Sequence, residues 1–473
     1  MKDYAQLATT KKPNVVVFFT DQQRYDSTGV HGNPLNLTPN FDKFAQEGTH
    51  FAHMYTCQPV CAPARSSLQT GLYATETGVW KNHLALNKDA ITLAKCFNQA
   101  GYRTGYIGKW HLGGVKPGIF DWDQSPVPQP NRGGYEYWLG VDLPEFVSDE
   151  YHTILYDNNN KPVRLPGYRV DAYTDAAIDY INTVKDEPFF LFLSFLEPHH
   201  QNHRDDFPAP HGYDDAYTGK WMPPDLAALG GNAYGQIDGY WGMVRKLDEA
   251  FGRMQDALFS LGLHENTIVV FTSDHGCHFK TRNSEYKRSC HDSSIHIPAA
   301  ISGPGFNGGG RVQNLVSLVD LTPTILDAAG LDIPENMQGV SYFPYLQKEK
   351  DTANWKDVVF AQISEDKVSR AIRTRRWKYA VTARDLDGLE VPNAEIYEEE
   401  FLYDLQADPF ELENLNSSKA HDKIRVELRN LLIVKMKQAG ENEPTIIPAN
   451  SEDEVRGQRR LFKEDLEEII ALQ

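Results

Sequence analysis

Apolar runs in this chain repeatedly end in polar side chains. Asn14-Val15-Val16-Val17-Phe18-Phe19 leads into Thr20-Asp21-Gln22, Phe189 to Phe195, entered at Pro188, leads into Glu197-Pro198-His199-His200, and Thr267 to Thr272 leads into Ser273-Asp274-His275-Gly276. Continuous β-branched and aromatic runs of this length read as buried strands. Helical patterns stand between them. Thr38-Pro39-Asn40 introduces Phe41, Phe44 and Ala45 at helical spacing, with Gly48 as the stop. Tyr240 to Leu258 carries Val244, Leu247, Phe251, Met254 and Leu258 at spacings of three and four. The alternation predicts an α/β fold, and in open α/β sheets ligands bind at the carboxyl edge of the strands. All three runs deliver potential ligands to such an edge.

Two segments break the alternation. Gly113 to Arg169 is rich in Pro, Gly, Asn and aromatics, among them Trp122, Tyr135, Tyr137 and Trp138, and reads as a surface excursion over the sheet edge. After Gln338-Gly339-Val340 the texture changes, placing a large domain at 1–344 and a smaller α+β subdomain at 345–473. In the latter, Arg373 to Ala380 and Phe401 to Leu405 read as a pair of sheet strands, with a helix near Lys423 to Lys437. The mixed charges from Ser451 to Ile470 read as a solvated terminal helix.

Composition narrows the partners. With 473 residues, 41% hydrophobic and 24% charged, the chain can bury a large core. A net charge of −18 opposes nucleic-acid binding, which needs a basic surface. The longest apolar stretch, Phe189 to Leu196, is far shorter than the roughly 20 residues that span a bilayer. No membrane partner is expected. The start, Met1-Lys2-Asp3-Tyr4, shows no secretory signal, so the expected location is cytoplasmic, or periplasmic if a leader preceded it. Five cysteines (Cys57, Cys61, Cys96, Cys277, Cys290) are too sparse for a disulfide scaffold. Cys57, Cys96 and Cys290 read as small buried side chains.

The chemistry comes from combining separate segments. Asp21 and Asp274 are carboxylates at two strand ends, with Gln22 and His275 beside them, and hard divalent cations prefer such oxygen ligands. Cys61-Ala62-Pro63-Ala64-Arg65 is followed by Thr70-Gly71. Pro63 suits the first turn of a helix, which places Cys61 near the positive end of the helix dipole.

This Cys-x-Pro-x-Arg frame resembles the site at which type I sulfatases, members of the alkaline phosphatase superfamily, convert cysteine to formylglycine. Further blocks are similar in order: Thr38-Pro39-Asn40-Phe41, Gly108 to Gly113, Pro198-His199, Ser273 to Gly276, Lys287, Ile297-Pro298, Gly303-Pro304-Gly305, Val319 to Thr324 and Leu402 to Pro409. The resemblance covers roughly residues 13 to 415. It implies a large, mostly parallel mixed sheet sandwiched by helices, and a sulfuric ester hydrolase acting on a carbohydrate sulfate.

It also implies roles for single residues. Asp21, Gln22, Asp274 and His275, with modified Cys61, would hold calcium, or magnesium, to polarise a sulfate oxygen. The family more often has a second aspartate where Gln22 stands. Arg65 would hold the aldehyde hydrate, Lys109 would neutralise the oxygens of nucleophile and sulfate, and His111 would be the base that releases sulfate. If the run from Lys109 is extended, His111 lies on its side. His199 and Lys287 would bind sulfate, with His199 donating a proton to the leaving oxygen. For the sugar, Trp110, His200, His203, Arg204, His278 and Arg282 lie in loops beside these blocks, His200 and Arg204 foremost. The Gly113 to Arg169 excursion fits a polysaccharide cleft. Partners would be the sulfated carbohydrate and a formylglycine-generating or anaerobic maturation enzyme. Two alternatives stand: a phosphonate monoester hydrolase or phosphodiesterase of the same superfamily, similar at Thr20-Asp21-Gln22, and a non-catalytic sulfoglycan-binding protein if Cys61 stays a thiol.

Overall fold

The computed structural model describes residues 12–114, 126–308 and 310–449. Trp122 and the predicted terminal helix at Ser451 to Ile470 lie outside them. Among the described residues, ten strands form one mixed sheet. Its centre is parallel: Thr267–Ser273, Asn14–Thr20, Phe189–Ser194, Arg103–Lys109 and Tyr137–Val141 lie side by side in that order. The three runs that end in polar residues are therefore neighbours, with Asn14–Thr20 in the middle. Ala299–Ser302 continues the sheet on one side, antiparallel both to the Thr267 strand and to the next strand, Thr49–Phe51, and Gly310–Val312 closes it parallel to Thr49–Phe51.

Side chains alternate across a strand, so the central strand feeds two cores. Val16 and Phe18 pack against helices Pro39–Glu47, Arg169–Val184 and Ile237–Ser260 through Phe41, Tyr173, Leu247 and Phe251. Val15, Val17 and Phe19 face helices Cys61–Thr70, Leu93–Gln99 and Leu318–Ala328 through Leu68, Phe97, Leu321 and Ile325. Each fully buried side chain of this size contributes about 1.5–3 kcal/mol. An aspartate at Val17 would face an apolar core on a strand with no water to solvate it. Gly108 permits the close strand contact that directs Lys109, because a Cβ there would sit 1.9 Å from Ser194 O.

The Gly113 to Arg169 segment corrects its sequence reading. In residues 126–169 it is no surface excursion: Tyr137–Val141, Thr153–Tyr156 and Pro162–Leu165 extend the sheet at its far edge. Tyr135 and Trp138 are buried in the core, where they stack around Tyr106, so they line no cleft. Aromatic content had the same cause in either case, and burial decided it.

A second sheet runs Val358–Ile363, Val368–Thr374, Trp377–Ala383, Ile396–Asp404 and Thr445–Ile447. The Arg373 to Ala380 run is thus a hairpin bend joining two strands rather than one strand. Helix Asp422–Gln438 covers one face with Leu428, Leu432 and Met436. The opposite face, through Val359, Ala361, Ile363 and Ala371, packs on Tyr55, Cys290, Ile295 and Leu315. All five cysteines are free. No helix among the described residues is long and apolar enough to cross a membrane.

Candidate active site

Four adjacent strands end at one place. Asp21 and Gln22 follow Asn14–Thr20, Asp274 and His275 follow Thr267–Ser273, His199 and His200 come after Phe189–Ser194, and Lys109 closes Arg103–Lys109. Cys61 is the first residue of helix Cys61–Thr70 and faces this edge, 1% exposed. Its Sγ lies 2.9 Å from Lys287 Nζ, 3.2 Å from His275 Nε2, 3.7 Å from Asp21 Oδ1 and 4.0 Å from Lys109 Nζ. That sulfur marks where the oxygens of a converted side chain would stand.

Asp21, Cys61, Asp274 and His275 present ligand atoms that all lie within 4.8 Å of one another. Gln22 Oε1 is buried with no hydrogen-bond partner, an arrangement that costs on the order of 1–3 kcal/mol unless a cation meets it. Its Nε2 is held by Cys277 Sγ and His200 Nδ1, each at 3.5 Å. His275 Nδ1 is 3.0 Å from Gly276 O; donating there leaves the Nε2 lone pair facing the cluster. The residues present fit a hard divalent cation.

Charge is dense here. Arg65 reaches Asp21 Oδ2 at 2.8 Å and Asp274 Oδ2 at 3.2 Å, and also bonds Ser194 Oγ and Lys109 O. It braces the carboxylates. Lys109 Nζ sits 2.9 Å from both Asp21 Oδ2 and Glu145 Oε1. Burial works to raise the Asp21 carboxyl, but Lys109, His199, Arg65 and Lys287 outweigh it and hold the group well below the usual range. Asp274 is pushed up to about 6 by burial and by the like charge of Asp21. Burial, with Asp21, pushes the Cys61 thiol up to about 12. The encoded thiol is therefore protonated at neutral pH and a poor nucleophile.

Burial also holds His111, His199 and His275 well below the ordinary imidazole range, so each is neutral at pH 7. His199 Nδ1 is 2.6 Å from His200 O and therefore carries the hydrogen, which leaves Nε2 to accept from Lys287 Nζ at 3.0 Å. His111 has φ +57°, so the chain is not extended there and the same-side argument from strand alternation fails. Its ring nitrogens are nonetheless buried and unpartnered beside His83, with ring centroids 6.0 Å apart.

The six sugar-binding expectations separate. His200 belongs to the site, stacked between His199 at 4.4 Å and Tyr286 at 4.3 Å. Arg204 and His203 sit on the rim, paired with Glu150 and Asp206 and with Asp149. Trp110 is corrected: 1% exposed, it packs against Tyr106, Tyr135 and Trp138 in the interior. His278 is corrected too, being fully buried with Nε2 on Lys287 O at 2.8 Å, where it steadies Lys287. Arg282 points to the Phe410 and Glu411 carbonyls. Sequence reasoning missed Glu145, because it stands on the short helix Pro144–Val147 inside the segment read as an excursion. It also missed His83, a lone histidine in a loop with no spacing signal.

The chain has relatives among known proteins. The family model described as Sulfatase matches residues 13–331, and that described as N-sulphoglucosamine sulphohydrolase, C-terminal, matches 284–438. The chain is similar to an ulvan-active sulfatase of Formosa agariphila, 30% identical over 93% of this chain and 84% of that one. It is similar to an N-acetylglucosamine-6-O-sulfatase of Bacteroides thetaiotaomicron, 26% identical over 93% of this chain and 89% of that one. A solved structure in complex with its substrate D-glucosamine-2-N,6-O-disulfate superposes with TM-score 0.74 at 26% identity, covering 92% of this chain and 99% of that one.

Proposed function

The chain belongs to the sulfatase family, and on that premise we propose that it hydrolyses sulfate esters of an oligo- or polysaccharide through Cys61 converted to formylglycine. The observation that carries this reading is the position of Cys61 at a helix N-terminus, within 4.0 Å of the Lys109 and Lys287 ammonium groups and in one cluster with Asp21, Asp274 and His275. The hydrate of formylglycine supplies two geminal hydroxyls, one to attack sulfur and one to release the product. Asp21, Gln22, Asp274 and His275 would hold the divalent cation, calcium in preference to magnesium, which supplies Lewis-acid polarisation of a sulfate oxygen.

The chain's own groups do the rest. Lys109, Lys287 and the helix N-terminus face the charge that moves onto the sulfate oxygens and leaving group. Lys287 donates to His199, so the pair can pass a proton to the leaving oxygen. Neutral His111, with free ring nitrogens, can take the proton of the second hydroxyl. Arg65 keeps the two carboxylates in register. His200, Arg204 and His203 flank the sugar side. Cys61 is buried in a helix, which supports a maturation enzyme acting before the chain closes over it.

Peptide mass spectrometry at Cys61 tests the conversion. Turnover of an aryl sulfate, a phosphate monoester and a phosphodiester then tests the reaction; higher kcat/KM on the diester would replace this reading with phosphonate or diester hydrolysis. A panel of sulfated oligosaccharides tests the substrate class.

A further inference from the structure

The second sheet reaches into the site. Gln362 N–H donates to Cys57 O at 2.9 Å, and Gln58 Nε2 donates to Ser364 Oγ at 2.7 Å, so the end of strand Val358–Ile363 is laced to the loop before Cys61. Glu365 follows, 8% exposed, with φ +67°. One of its oxygens accepts from Asn82 N–H at 2.6 Å and the other from Arg288 Nη2 at 2.6 Å. Both partners lead to Cys61. Asn82 Oδ1 accepts from Ala62 N–H at 3.1 Å, the second amide of the Cys61 helix. Arg288 donates its N–H to Pro59 O at 3.2 Å and directly follows Lys287, whose Nζ is 2.9 Å from Cys61 Sγ. Glu365 and Arg288 both hold left-handed backbone, which persists in such residues where surrounding contacts over-determine it.

We propose that Glu365 is a positioning residue for sulfate-ester hydrolysis, fixing through Asn82 and Arg288 the helix N-terminus and the ammonium that flank the reacting side chain. The claim rests on the reading of Cys61 as the reacting position. A carboxylate suits the role because it offers two charged acceptor oxygens to two separate segments. The larger sheet sets the strand ends, and the smaller one sets the angle at which Cys61 meets them.

Glu365→Gln, which keeps the shape, and Glu365→Ala are compared with Glu399→Gln, a buried carboxylate of the same sheet that bonds Arg429 and Tyr379. Glu365→Gln should lower kcat on an aryl sulfate on the order of tenfold to a hundredfold with little change in KM. It should also weaken inorganic sulfate in a calorimetric titration, a readout independent of turnover. Glu399→Gln should lower the melting temperature and leave both unchanged. Asn82→Ala added to Glu365→Ala should cost less than the two separate losses multiplied, as for residues on one path. Unchanged kcat and sulfate affinity in folded Glu365→Gln would overturn the assignment, as would fully multiplicative losses. Wild-type enzyme that binds sulfate yet turns over no sulfate ester overturns the proposed function instead, leaving sulfate affinity to decide the role of Glu365.

Discussion

One dense buried group of charge surrounds Cys61, and another stands where the second sheet meets the first. At the junction, Lys378 lies 2.6 Å from Asp292 and in contact with Glu411, Arg373 approaches Asp292 at 3.7 Å, and Glu411 also accepts the Asp292 N–H at 2.7 Å. Its ions pair with one another, and the buried polar atoms they leave without a hydrogen bond among the described residues are Arg373 Nε and Glu411 Oε1, the latter in contact with Lys378. Around Cys61, Arg65 meets Asp21 and Asp274 and Lys109 meets Asp21 as closely, while Lys287 turns to Cys61 Sγ and His199, but Gln22 Oε1, Glu145 Oε2 and both nitrogens of His111 are left with no hydrogen-bond partner among the described residues. Burial and charge are common to both. What separates the two is that around Cys61 the unused polar capacity includes neutral acceptors and whole side chains such as His111, gathered near a side chain on a helix N-terminus.

Substitutions can break this contrast. The largest effect is expected at Cys61: Cys61→Ala should reduce aryl sulfate turnover to background while the melting temperature stays close to wild type, since under the proposed function it removes the attacking group. Next, Lys287→Ala should lower kcat by about 10²–10³-fold, as loss of one charge-stabilising donor does. Lys378→Ala should instead destabilise by about 3–5 kcal/mol in urea unfolding by leaving Asp292 and Glu411 facing each other, with kcat per folded molecule retained. If Lys378→Ala lost kcat and Lys287→Ala lost stability, the two clusters would have to exchange roles.

Smaller effects are expected at the cation ligands, at Asp292 and at Arg204. Gln22→Ala should weaken calcium about 10–100-fold, read by the calcium dependence of melting temperature, and chelator should lower the wild-type melting temperature. At the junction, burial works to raise the Asp292 carboxyl, but Lys378 and Arg373 outweigh it and hold it below its usual value. Such an acid binds fewer protons folded than unfolded. Its stabilisation is fully present above pH 4 to 5 and is lost as pH falls through the unfolded value near 3.8 toward the folded one. Asp292→Asn should flatten that acid limb of a urea-midpoint profile. Arg204→Ala, on the rim, should change stability by less than about 1 kcal/mol and show in KM for a sugar sulfate alone.

The strand ends were legible because buried strands and helix stops are written in local periodicity. Asn14–Thr20, Thr267–Ser273 and helix Ile237–Ser260 lie within a few residues of their expected bounds. The Cys61 frame was legible for a different reason: its residues are contiguous, so it can be read without knowing the fold. Trp110, His278 and the Gly113 to Arg169 segment were misread because aromatics and histidines suit a core and a ligand pocket equally, and only packing tells them apart.

Short-range patterns along the chain specify the Cys61 frame, the polar strand ends and the alternation that implies an α/β sheet, since each can be read from neighbouring residues. Tertiary structure alone decided that three of those strand ends are adjacent, that Glu145 meets Lys109, and that Glu365, 283 residues from Asn82, braces the Cys61 helix. Hydrogen bonds and ion pairs act over about 3 Å, so which distant residues share one is settled by how the sheets pack rather than by the order in which residues follow one another.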